Sequence, residues 1–319
     1  MRKLRPPSAG PPPGDEPRSE AERGDEYSLL KERGRTATLR GEFREALDAY
    51  TAAREIVRAG GDPERVDEAD LNVAMVLLQM GEARKGEEGL REILLRARDN
   101  RIGVAAAYNL ASSLRKQGRH ERAMVYAKRA FERARNLGAT DCLAMVHNLL
   151  GNLYLSQSYL DQALAEYECA IALREAQDGD TRYSRAIVLE NLGYCLLLKQ
   201  RLAEGTARLR DALDLARQVE DRRCEAECLQ DLCYGLLLMA DHEAAVRCGE
   251  SALELSARAE YADIEENCHY LLGELGSRMG DLAARDEHFQ QLQSLHPELP
   301  FLKDFLCAVD VTQIITLKR

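Results

Sequence analysis

From about residue 27 to residue 297, apolar and small residues recur at helical spacing, with charged residues filling the opposite positions. The pattern predicts a nearly continuous series of amphipathic helices, and it repeats. One small residue returns in a helical context at Gly34, Ala74, Ala111, Gly151, Gly193, Cys233 and Gly273, with spacings of 40, 37, 40, 42, 40 and 40. Twelve residues after each comes a second column: Ala46, Gly86, Ala123, Ala163, Gly205, Ala245 and Arg285. Seven further on lies a third: Ala53, Ile93, Ala130, Ala170, Ala212, Ala252 and Leu292. Small side chains let two helix axes approach closely, so aligned small columns predict tight pairing at fixed points.

Between the first and second columns stands a turn position: Gly41, Gly81, Gly118, Ser158, Gln200, Ala240 and Gly280. Glycine there ends a helix without a Cβ penalty. Each unit therefore reads helix–turn–helix. Breakers such as Gly60-Gly61-Asp62-Pro63, Asn136-Leu137-Gly138 and Asp178-Gly179-Asp180 separate the units. The order of small residue, turn glycine, alanine, aromatic and alanine, clearest at Gly151, Ala163, Tyr167 and Ala170, resembles the tetratricopeptide repeat family, with Pro297, after the last unit, where that family often closes its second helix. The period exceeds the family's usual 34 residues. In that respect the chain is similar to the long-repeat subgroup of kinesin light chains and bacterial peptide-sensing regulators. The resemblance implies an all-α, right-handed α-solenoid of seven repeats with a concave groove. Two positions depart from the pattern: Arg285 replaces a small residue, and Gly249 stands where an aromatic is usual.

The ends read differently. Residues 1–25, rich in Pro, Gly and charge, are expected to be a disordered tail. Residues 26–297 form the solenoid, and 298–319 a cap and tail. Within 299–308, Phe301, Leu302, Phe305 and Leu306 read as a capping helix over the last repeat. Residues 309–317 alternate like a β-strand, with Val309, Val311, Ile315 and Leu317 on one face. Such a run either lies along the last helices as irregular chain or pairs with a second copy to make a homodimer.

Composition narrows the chemistry. The net charge of −10 disfavours binding to nucleic acid, and the chain has no membrane-length apolar run and no apolar leader. Nine scattered cysteines, an odd number without a CxxC pair, read as small core residues of a cytoplasmic protein rather than as a disulfide or zinc framework. None of the common catalytic or phosphate-binding motifs occurs, so the expectation is no enzyme, no cofactor and no metal.

By the family resemblance, the first helix of each unit lines the concave face. Two residues before the small column stand Asn72, Asn109, Asn191 and Asp231, with Asn148 beside Leu149 in the fourth unit. In the resembling proteins such asparagines hold the backbone of an extended peptide. An amide suits the task, since it both donates to a C=O and accepts from an N–H. Asn152, Tyr194 and Tyr234 follow the small column and are read as further contacts, as are the basic Arg115 and Lys116. Lys31, Arg35, Arg115 and Lys116 lie toward the first half, and Glu190, Glu227, Asp231 and Glu274 toward the second. A bound segment is thus expected to be acidic at repeats 1–3 and basic at repeats 5–7. The expected function is a non-catalytic scaffold holding a protein or extended peptide segment. The alternatives are a peptide-responsive regulator that changes curvature, or an assembly subunit working through its convex face and tail.

Overall fold

A computed structural model describes residues 20–97 and 101–318. It contains α1 (Glu20–Leu39), α2 (Phe43–Gly60), α3 (Pro63–Gln79), α4 (Ala83–Arg96), α5 (Arg101–Lys116), α6 (His120–Asn136), α7 (Thr140–Leu155), α8 (Leu160–Glu175), α9 (Arg182–Leu198), α10 (Leu202–Gln218), α11 (Arg222–Leu238), α12 (His242–Ala259), α13 (Ala262–Met279), α14 (Leu282–Leu295) and α15 (Leu302–Ala308). A single 3-10 turn, Val311–Gln313, follows. Helices α1–α2, α3–α4, α7–α8, α9–α10, α11–α12 and α13–α14 pack as pairs that match their sequence units, and α5 and α6 occupy the third sequence unit in order. The described chain divides into two compact units, one running to Ser113 and the other from Leu114.

The small columns are explained by what they touch. At the glycines of the first column, Gly34, Gly151, Gly193 and Gly273, the residue sixteen positions later comes from the partner helix and lies against it. A Cβ on Gly34 would meet the Tyr50 ring at 2.7 Å, on Gly151 the Tyr167 ring at 2.5 Å, and on Gly273 the Phe289 ring at 2.2 Å. Tyr167 and Phe289 are completely buried in these notches. The two departures are compensated locally. At Gly249 the missing ring is replaced from the next helix, since a Cβ there would meet Leu272 at 2.8 Å and the Cys233 sulfur at 3.1 Å. Arg285 fits because the small residue has moved across the pair: Gly276 faces the Arg285 backbone, 2.7 Å from a built Cβ.

All seven turn positions adopt positive φ. Four are glycines: Gly41, Gly81, Gly118 and Gly280. Ser158, Gln200 and Ala240 hold the same left-handed conformation at φ 60–62° without being glycine. An L-residue there carries a steric cost of about 1–2 kcal/mol. Gln200→Gly and Ala240→Gly are therefore each expected to raise stability by about 0.5–1 kcal/mol, after the extra unfolded-state freedom of glycine is subtracted. Urea melts check this; a loss of stability would mean that these side chains hold the turn in some other way.

In the unit from Leu114, like helices approach one another: α7 touches α9, α9 touches α11 and α11 touches α13. These first helices form the inner wall of the stack. A continuous core from Ala163 to Leu275, which also takes in Leu317, runs between them and their partners. Cys195, Cys224, Cys228, Cys233 and Cys268 are buried within it, as small core residues.

The ends require corrections. Helix α1 begins at Glu20, so residues 20–25 are helical rather than tail, continuing a run rich in good helix formers; residues 1–19 lie outside the described residues. The capping helix is shorter than expected. Leu306 is buried against Phe289, Leu292 and Val311, but Phe301 and Phe305 are 75% and 52% exposed and cover nothing. Residues 309–317 form no strand. They make the 3-10 turn and then irregular chain, and Val311 and Leu317 are buried within the same molecule. Backbone bonds to a neighbouring strand are replaced by bonds to side chains of the inner helices, and no strand edge is presented to a second copy.

Candidate functional site

The inner wall of the second unit carries a cleft of about 540 Å3. Its lining gathers Arg115 and Lys116 from α5, Asn152 from α7, Glu190 and Asn191 from α9, Glu227 and Gln230 from α11, and Asp263 and Asn267 from α13. Leu317 and Lys318 complete the wall.

Several expected binding residues come together here and are already engaged. Asn191 Nδ2 donates to Asn148 Oδ1 at 3.3 Å and to the Ile187 carbonyl one turn back at 3.0 Å. Asn191 Oδ1 accepts from Lys318 Nζ at 3.4 Å. Asn152 Oδ1 accepts from the Tyr167 hydroxyl at 2.6 Å, so this amide also anchors the buried ring. Arg115 is half-buried and Lys116 exposed at the opposite edge of the cleft. Asn72 and Asn109 belong to the first unit. Asn72 is half-buried on α3, and Asn109 Nδ2 donates to Ala105 O of its own helix at 2.9 Å. Tyr194 and Tyr234 are not open contact surfaces. They are 2% and 7% exposed, stand 6.4 Å apart, and Tyr194 lies beneath Lys318 at 5.0 Å.

The acidic residues expected toward the second half do converge. Glu190 and Asp231 are buried, and Glu227 is half-buried beside them. Taking a carboxylate out of water disfavours its charged form. Burial accordingly pushes the Glu227 carboxyl up to about 7, with Glu190 adding to the shift and Lys318 and Arg223 opposing it. Burial raises Glu190 and Asp231 as well, again opposed by Lys318. Arg223 bonds Glu227 at 2.9 Å and Asp263 at 2.5 Å. The ammonium of Lys318 ion-pairs with Glu190 and lies 3.4 Å from Asp231.

The basic group that faces the acidic wall is thus the chain's own. The segment leading to Lys318 is held along its length. Asp310 receives two bonds from Arg278, at 3.1 and 3.2 Å. The Val311 N–H donates to Glu274 Oε2 at 3.1 Å. The Leu317 carbonyl accepts from Asn267 Nδ2 at 3.1 Å. Reading the sequence missed Gln230, Asn267, Arg223 and Lys318. The available signal was the pair Glu190 and Asp231 at interior helical positions, where two buried acids require a cation. In the first unit, Lys31 and Arg35 pair with Glu68 and Glu32, so their charge is met within that unit.

Comparison with known proteins gives the same architecture. A tetratricopeptide repeat model matches residues 103–176. No curated protein sequence matches the chain. Among solved structures, the apo form of RapI is 18% identical, with 83% of this chain and 95% of that chain covered and a TM-score of 0.65. The Rap conjugation gene regulator of plasmid pLS20, in complex with the Phr* peptide, is 14% identical over 93% of this chain and 77% of that chain, with a TM-score of 0.65. A signal transduction ATPase with a tetratricopeptide repeat sensor from Pyrococcus horikoshii is 16% identical over 93% of this chain and 45% of that chain, with a TM-score of 0.67. Repeating notches, left-handed turns and paired helices, together with these likenesses, show a tetratricopeptide-type helical-repeat fold, and residues 103–176 match the tetratricopeptide repeat itself.

Proposed function

We propose that the protein is a non-catalytic interaction module of the cytoplasm that holds an extended protein segment on the inner wall of its second unit. The observation that carries this reading is the way that wall holds residues 310–318. Glu274 takes a backbone N–H, Asn267 takes a backbone C=O, and the acidic wall takes a side-chain cation. These are the bonds that an extended segment from another protein would need, and the cleft continues past them toward Asn152, Arg115 and Lys116. The charge order supports the same reading: a segment spanning the whole cleft would be acidic near Arg115 and basic near Glu190. The peptide complex of the Rap regulator supports a peptide-responsive regulator as the form such a module takes.

Selection from a displayed random-peptide library tests the proposal. Enriched peptides are expected to compete with one another for one site. They should lose at least about tenfold in affinity, or 1.4 kcal/mol, when Asn191 and Glu227 are changed to Ala and Lys. Peptides indifferent to both changes would move the working surface away from this wall.

A further inference from the structure

The acidic wall needs a lysine, and its surroundings say which kind of segment brings one. Asp231 has no exposed surface, and its Oδ2 makes no hydrogen bond. The nearest cation to that oxygen is Lys318 Nζ, at 3.4 Å. Glu190, on the neighbouring helix, shares the same ammonium. The Tyr194 ring closes the pocket at 5.0 Å from Nζ, a distance at which a ring face attracts a cation. Two buried acids and an aromatic face around one point make a receptor for a single compact ammonium. The planar five-donor guanidinium of arginine has a different shape and donor geometry. The residue before the lysine also matters. Leu317 is 8% exposed and joins the core formed by α9, α11 and α13, while its carbonyl is held by Asn267.

We propose that this wall reads an aliphatic residue followed by lysine in an extended protein segment, and that residues 310–318 are its built-in occupant and competitor. The inference rests on the groove reading above and specifies its ligand. Holding of the occupant is divided between two places. At one end Asp310 and Val311 bond Arg278 and Glu274; at the other Leu317 and Lys318 fill the pocket. A tethered occupant acts at a high effective concentration, in the millimolar range for a short tether. An incoming segment therefore binds the intact chain weakly unless it carries the same pair or the tether is loosened.

The test is fluorescence anisotropy with a labelled peptide of residues 308–319, titrated into the full-length chain. Wild type should bind it weakly. Lys318→Ala in the full chain vacates the pocket and should bind at least about tenfold more tightly. Asp310→Ala loosens the far end of the tether while leaving the pocket intact, and should improve binding several-fold; it also guards against a Lys318 variant that folds poorly. The same peptide carrying Lys318→Ala should fail to bind any of the three. Equal affinity for wild type and both variants would overturn the proposal, as would failure of the peptide to bind either folded variant. Display-selected peptides that bind this wall without a lysine would sink the lysine rule and leave the groove reading intact. Entry of the 308–319 peptide while no foreign peptide ever binds would do the reverse.

Discussion

Gly273→Ala is expected to destabilise the protein by about 2–3 kcal/mol, although alanine is the better helix former by about 1 kcal/mol. The new methyl would sit 2.2 Å from the Phe289 ring, and the ring cannot swing aside because Phe289 is wholly buried. Either the ring leaves its rotamer or α13 and α14 move apart, and both disturb the close packing between them. Phe289→Leu in the same chain should recover much of the loss, because a smaller side chain vacates the notch. On a wild-type background that change should instead cost stability, so the two substitutions should be strongly non-additive. Gly24→Ala in α1 serves as the control, since nothing lies within 4 Å of a Cβ built there and only the helix-propensity gain remains. Urea melts of the four variants check this. If Gly273→Ala were as stable as Gly24→Ala, the notch packing would be wrong.

The second large effect concerns charge. Lys318→Met should cost about 3 kcal/mol at pH 8, the lower end for breaking a buried ion pair, because the freed segment lifts and lets water reach the acids. The sign of the pH dependence follows from the raised carboxyls. A carboxyl whose pKa is higher in the fold than in the unfolded chain keeps its proton on folding at a pH where the unfolded chain has lost it. Its contribution is present in full below the ordinary value near 4.5 and is lost as pH rises through the folded value, about 7 for Glu227. Wild-type melting temperature should therefore fall between about pH 5 and pH 8 from this cluster. Removing the ammonium that opposes the shift in Glu190, Asp231 and Glu227 should steepen the fall. Glu190→Gln should flatten it. Melting curves at three pH values check this; a variant as stable as wild type at pH 8 would mean that Lys318 is not pinned in the wall.

The repeat was legible because its determinants are local. A small residue, a turn position seven later and a ring sixteen later lie within one hairpin, and the requirement for each is steric. Even Ser158, Gln200 and Ala240 were placed correctly by register, although their side chains argue against the conformation they adopt. The fate of residues 309–318 was not legible in that way. Alternating Val, Ile, Thr and Leu favour a strand in isolation, but Lys318 finds its partner 128 residues away in sequence. No local pattern encodes that distance, and the buried acids that outweigh strand propensity lie on two different helices. Asn152 and Asn191 line the cleft and Asn148 bonds Asn191 beside it, whereas Asn72 and Asn109 lie in the first unit. The engagement of the cleft asparagines with Tyr167, with each other and with their own helix was hidden, because an amide's partners depend on the neighbouring repeat.

The constant register of the turns bears on how a chain like this changes length. From first-column residue to turn is seven residues in every unit, and from turn to second-column residue is five. All of the variation from 37 to 42 therefore falls after the third column, in the end of the second helix and the connection to the next hairpin. Each hairpin behaves as a cassette of fixed bore, and the connections act as expansion joints. Asp178-Gly179-Asp180 is one such joint, lying in the longest interval of the series. Lengthening there lets a gene grow without moving a ring out of its notch, whereas a single residue added at Ser158 would throw Gly151 and Tyr167 out of step.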